Sequence, residues 1–150
     1  MTTLYWEDFK VGETIELGSH TFTEEEIIAF ATQFDPQSFH TDPEAAKHTF
    51  YGGLIASGWH TCCIAMRYMV QNYISRSASM GSPGVDNVRW LKPVRPGDTI
   101  TFRRMILESR ASESRPGAGL VKSSSQAVNQ NGETVLTMEG WGMFGRRPVS

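Results

Sequence analysis

The residues in this chain best suited to moving a proton are Asp35 and His40, an acid and an imidazole five residues apart in FDPQSFH (34–40). On a continuous helix five residues span about 500° of rotation, which leaves the two side chains some 140° apart. Pro36 disfavours helical geometry at Asp35, and a turn there allows the two groups to converge. A carboxylate and an imidazole can hold one water between them, one group accepting its proton while the other donates elsewhere. Such acid–base help is typically worth about 10²–10⁴-fold. The same residues also read as turn punctuation before a proline and as a solvated loop histidine.

A second stretch, YGGLIASGWHT (51–61), places small residues before a helix start. A helix N-terminus offers unpaired N–H groups at the positive end of the dipole. Gly58 there lets a ligand approach the backbone closely, and a developing oxyanion would be stabilised by it. Ser57 beside it reads either as part of that ligand site or as the N-cap of the helix. The Gly52-Gly53 pair lies in no GxGxxG or GxxxxGK[ST] pattern, so it is not a nucleotide-binding loop.

The elements that must position these residues are well signalled. Thr14–Phe22 has strand composition. Thr23 with Glu26 forms a capping box, and Phe22 with Ile27 a hydrophobic staple, opening a helix. Ile27, Phe30, Ala31 and Phe34 share one face of it, and Pro36 ends it. A short helical turn is expected around Pro43–His48. A longer helix runs from Ser57-Gly58 to about Ile74, roughly 25 Å. Four strands follow, near Val85–Trp90, Thr99–Glu108, Leu120–Gln130 and Glu133–Phe144. Pro96-Gly97-Asp98 has turn chemistry, and Asn131-Gly132 signals a two-residue hairpin loop. One strand, helices, then four strands describe an α+β domain, a five-stranded antiparallel sheet wrapped around the long helix.

Length and composition bound the partners. The 150 residues suit a single domain, 1–150. A net charge of -2 and scattered arginines give no nucleic-acid surface. No apolar run approaches the ~20 residues that span a bilayer, and the N-terminus shows no signal peptide. Adjacent Cys62 and Cys63 are poorly placed for a disulfide or a metal site and read as buried free thiols in a reducing cytoplasm.

Taken together, FDPQSFH and GGLIASGWHT resemble the MaoC-like dehydratases, the R-specific enoyl-CoA hydratase branch of the hot-dog fold. That family's motif is approximately Gly-Asp-x-Asn-Pro-aliphatic-His, with Ala or Ser six residues after the His. Asp35 and His40 keep its spacing, and Ala46 lies six beyond. Ile55-Ala56-Ser57-Gly58 is similar to the family's aliphatic-x-His-Gly segment, and LKPVRPGD (91–98) to its Pro-Val-x-x-Gly-Asp turn. The chain departs at Phe34, Gln37 and Ser38, where the motif has Gly, Asn and Pro, and at Ser57, where it has His. Met66 stands where some members carry serine.

The resemblance implies a reversible syn addition of water to a trans-2-enoyl-CoA, giving an R-3-hydroxyacyl-CoA. Asp35 and His40 would be catalytic, and Gly58 with Ser57 would hold the thioester carbonyl. Coenzyme A would enter only as part of the substrate, with no other cofactor and no metal. His48 and His60 would be structural or surface residues. The resemblance further implies a cytoplasmic homodimer, or a higher assembly of dimers, joined edge to edge through its sheets. Two alternatives stand beside it: a hot-dog acyl-CoA thioesterase, and a non-catalytic acyl-CoA-binding subunit.

Overall fold

The computed structural model describes residues 2–149. A 3-10 turn at Trp6–Asp8 precedes strand β1 (Thr14–Thr21), followed by helix α1 (Glu24–Phe34) and two single-turn helices, α2 (Ser38–Thr41) and α3 (Pro43–Ala46). The long helix α4 (Gly58–Asn72) leads through a further 3-10 turn to β2 (Gly84–Trp90), β3 (Thr99–Ala111), β4 (Ala118–Val128) and β5 (Thr134–Gly145). The strands form one antiparallel sheet in the order β1-β3-β4-β5-β2. This is the hot-dog arrangement expected from the sequence.

Alternation explains why the sheet has an inner face. In β3, Ile100, Phe102, Arg104 and Ile106 are buried at every second position, as a half-buried strand requires. Helix α4 covers that face with Ile64 and Ala65, which join the same core cluster. At its C-terminal end the buried Arg104 guanidinium is neutralised by Glu13 at 2.6 Å and lies over the Tyr73 ring at 4.4 Å. An unpaired charge there would be costly.

Local details differ from expectation in instructive ways. Only half of the capping box forms: the Glu26 N–H donates to Thr23 Oγ1 at 3.2 Å, whereas the Glu26 carboxylate turns to His20. Phe22 and Ile27, the staple pair, are both fully buried. The β4–β5 loop is closed by Asn129 N–H to the Glu133 carbonyl and so contains three residues, not two. Gly132, with φ +78°, supplies the left-handed residue that ends such loops. Cys62 is half-buried but Cys63 is exposed, which corrects the expectation that both thiols are buried.

His60, on the first turns of α4, is 5% exposed and stacks on Phe30 at 4.7 Å. Its Nδ1 has no partner among the described residues, and Glu26 is 3.7 Å from Nε2. Burial pushes its pKa down to about 4; Glu26 opposes this only in part, and His20 and Arg67 reinforce it. The unfolded chain therefore takes up a proton between pH 6.5 and 4 that the folded chain refuses, so stability falls as pH drops through that window. Replacing His60 with Phe should flatten this part of a Tm-versus-pH curve. Superimposable slopes for wild type and variant would contradict the assignment.

Candidate active site

Asp35 caps the C-terminus of α1. Its N–H still bonds the Ala31 carbonyl at 2.8 Å, but its φ of −153° and ψ of 67° leave the helix, as the following proline dictates. The chain then makes the single turn α2, in which the His40 N–H bonds the Gln37 carbonyl at 2.9 Å. Sequence reading expected a turn between the two groups but not that His40 itself sits on a helical turn. The result brings His40 Nε2 to 3.3 Å from Asp35 Oδ2.

The pair is held from three sides. Gln37 Nε2 donates to Asp35 Oδ1 at 2.8 Å, and Ser57 Oγ donates to Oδ2 at 2.7 Å. His40 Nδ1–H donates to the Ile55 carbonyl at 2.7 Å, while the Ile55 N–H donates to the Phe39 carbonyl at 3.0 Å. The segment entering α4 is thus clamped to α2. Burial, the largest single influence on Asp35, pushes its carboxyl up. The hydrogen bonds from Gln37 and Ser57 and the adjacent His40 ring outweigh it and leave the group below the usual carboxylate range. Asp35 is therefore ionised at neutral pH.

That geometry has a chemical corollary. With the proton on Nδ1 committed to Ile55, a neutral His40 presents the Nε2 lone pair toward a carboxylate. Two acceptors this close require a shared donor, either a water O–H or a proton on Nε2. Such a pair has the chemistry to hold a water and accept its proton.

Asp35 and His40 line one end of a cleft of about 490 Å³, whose walls include Tyr51, Trp59, Trp90 and Lys92. Gly58 also lines it, and as the first residue of α4 its N–H has no partner within the helix. Ser57 is placed differently from both readings of the sequence. It is fully buried, makes no side-chain cap, and donates its hydroxyl to Asp35 without itself lining the cleft. The reason for a glycine at 58 also changes. A Cβ there would fall 2.4 Å from Trp90 Cε2, so the missing side chain makes room for an indole. Trp90 in turn meets Trp59 edge-on at 5.1 Å. Its N–H lies beside Cys62, whose thiol burial nevertheless pushes up. Sequence reading missed Trp90 as a site residue; a tryptophan closing an exposed strand was the signal available.

The MaoC like domain profile matches residues 8–128. Among solved structures, a MaoC-like dehydratase from Rhodospirillum rubrum is 38% identical, with a TM-score of 0.88 over 97% of this chain and 99% of that one. A monoamine oxidase regulatory protein from Archaeoglobus fulgius is 32% identical, with a TM-score of 0.90 over 99% and 98%. Among curated proteins, the mesaconyl-CoA hydratase of Cereibacter sphaeroides is 37% identical over 62 residues, 41% of this chain but only 18% of that protein. The sheet, the Asp35–His40 pair and these likenesses converge: the chain belongs to the MaoC-like dehydratase family.

Proposed function

We propose that the chain is a hydratase/dehydratase acting on a 2-enoyl-CoA and its 3-hydroxyacyl-CoA counterpart. The observation that carries this reading is the 3.3 Å Asp35–His40 pair, fixed by Ser57, Gln37 and Ile55 in a cleft that also contains the start of α4. A water held by Asp35 loses a proton to His40 Nε2 as its oxygen bonds the β-carbon. The π electrons move through the α-carbon toward the thioester oxygen, which the Gly58 N–H accommodates. The His40 imidazolium, beside the Asp35 carboxylate, then returns one proton to the α-carbon. Water is added once, with no net change at either side chain. Because one dyad handles both steps, addition is syn, and an R-3-hydroxyacyl product follows from the family resemblance.

Crotonyl-CoA separates this reading from its alternatives. Hydration removes the conjugated absorbance without releasing thiol. Release of free thiol would identify a thioesterase, and no change in either signal a binding subunit.

The same reading takes the working unit to be a homodimer. Strand β2 is a sheet edge with a register break between Asp86 and Arg89 and with Val85 and Trp90 exposed, and such edges are normally paired or covered. Light scattering should give twice the chain mass; a well-folded monomer at working concentration would refute the pairing.

A further inference from the structure

Thr61 is the other polar residue of α4 that reaches the cleft. It is 2% exposed, yet it lines the cavity with Gly58, Asp35 and His40, and its hydroxyl makes no hydrogen bond to any described residue. A helical threonine ordinarily returns its hydroxyl to the carbonyl four residues back. Here that carbonyl belongs to Ser57 and already accepts the N–H groups of His60 at 3.0 Å and of Thr61 at 3.3 Å. Asp35 takes its side-chain donors from Gln37 and Ser57, and Thr61 is not among them. The hydroxyl is thus a donor left uncommitted at the cavity wall and reachable from the cleft, where a ligand can take it up.

Its direction follows from helix geometry. Cα–Cβ bonds tilt toward the helix N-terminus, so a side chain lies over the turn that precedes it. For Thr61 that turn begins at Gly58. The free N–H of Gly58 and the free O–H of Thr61 therefore face one region at the start of α4, and an acceptor placed there receives two donors.

Resting on the hydratase reading, we infer that Thr61 Oγ1 is a second hydrogen-bond donor to the substrate's thioester oxygen, acting with the Gly58 N–H. The ligand class is an α,β-unsaturated thioester whose carbonyl oxygen gains negative charge as water adds to the β-carbon. A donor aimed at that oxygen strengthens its bond as charge develops, so its contribution falls on turnover more than on binding.

The test is steady-state hydration of crotonyl-CoA by three variants of the full chain. Thr61→Val keeps the shape and removes the donor; kcat should fall about 10²-fold with KM within a few-fold of wild type and an unchanged thermal melt. Thr61→Ser restores the hydroxyl and should recover most of the loss. If Thr61→Val fails to fold, Thr61→Ala against Thr61→Ser makes the same comparison. Asp35→Asn separates the two levels of the argument. Wild-type kcat in Thr61→Val alongside an inactive Asp35→Asn overturns the role of Thr61 alone. So does a serine variant as slow as the valine, which would make the methyl group the reason for the residue. Wild-type chain inert on crotonyl-CoA removes the hydratase reading and this inference with it; a fully active Asp35→Asn removes the dyad, and with it the site in which Thr61 is placed.

Discussion

Asp35→Asn and His40→Ala should each fold and each lose about 10²–10⁴-fold in hydratase turnover. Asparagine keeps the shape that accepts from Ser57 but cannot carry the charge that stabilises an imidazolium 3.3 Å away. Alanine at 40 removes the base and also leaves the Ile55 carbonyl without its 2.7 Å donor, so a modest drop in Tm should accompany the kinetic loss. The double variant should be little slower than the worse single one, because residues acting on one water behave as a unit. Ser57→Ala belongs to the same experiment. It removes one of the groups that depress the Asp35 pKa, so the acid limb of its kcat/KM profile should move to higher pH. Near-wild-type turnover in both single dyad variants would dismiss the dyad; an unmoved acid limb would dismiss only the role given to Ser57.

Gly58→Val should lower kcat/KM by about 10²-fold, the scale on which a misplacement of about 1 Å in a site is felt. The route is steric. The new Cβ lands on the indole of Trp90, which is 46% exposed and can swing outward. The cleft wall shared with Trp59 goes with it. Fold should be retained, since the yielding group is a half-exposed side chain. Adding Trp90→Ala to Gly58→Val should recover part of the activity by vacating the space. Failure of that rescue would mean that the Cβ strikes substrate directly, and the Trp90 account would be discarded.

How much of this could be read without coordinates follows the range of the forces involved. The α1 start, the Pro36 stop and the four C-terminal strands rest on local patterns, and the strands lie within a few residues of the expected bounds. The convergence of Asp35 and His40 was legible too, because a proline at 36 acts on its neighbour. The supports of the dyad were not. Ser57 reaches Asp35 across 22 residues and Ile55 reaches His40 across 15, distances at which a serine before a helix reads more naturally as a cap. Trp90 over Gly58 joins an edge strand to a helix start, and no spacing rule connects the two. The hairpin at Asn131-Gly132 failed in a smaller way: the dipeptide marks the turn, but the position of its left-handed glycine sets the loop length.

The reciprocal clamp between Phe39-His40 and Ile55 bears on how such a protein can diversify. It ties the dyad and the segment entering α4 into one unit through the His40 ring and one backbone bond, so that among side-chain substitutions only those at His40 remove part of it. The aromatic residues that shape the rest of the cleft, Phe50, Tyr51, Trp59 and Trp90, take no part in that clamp. Mutational drift can therefore rework the walls, and with them the acyl groups admitted, while the reacting geometry is inherited unchanged. A library randomised at those four aromatic positions should yield variants altered in substrate preference far more often than variants dead to every enoyl-CoA.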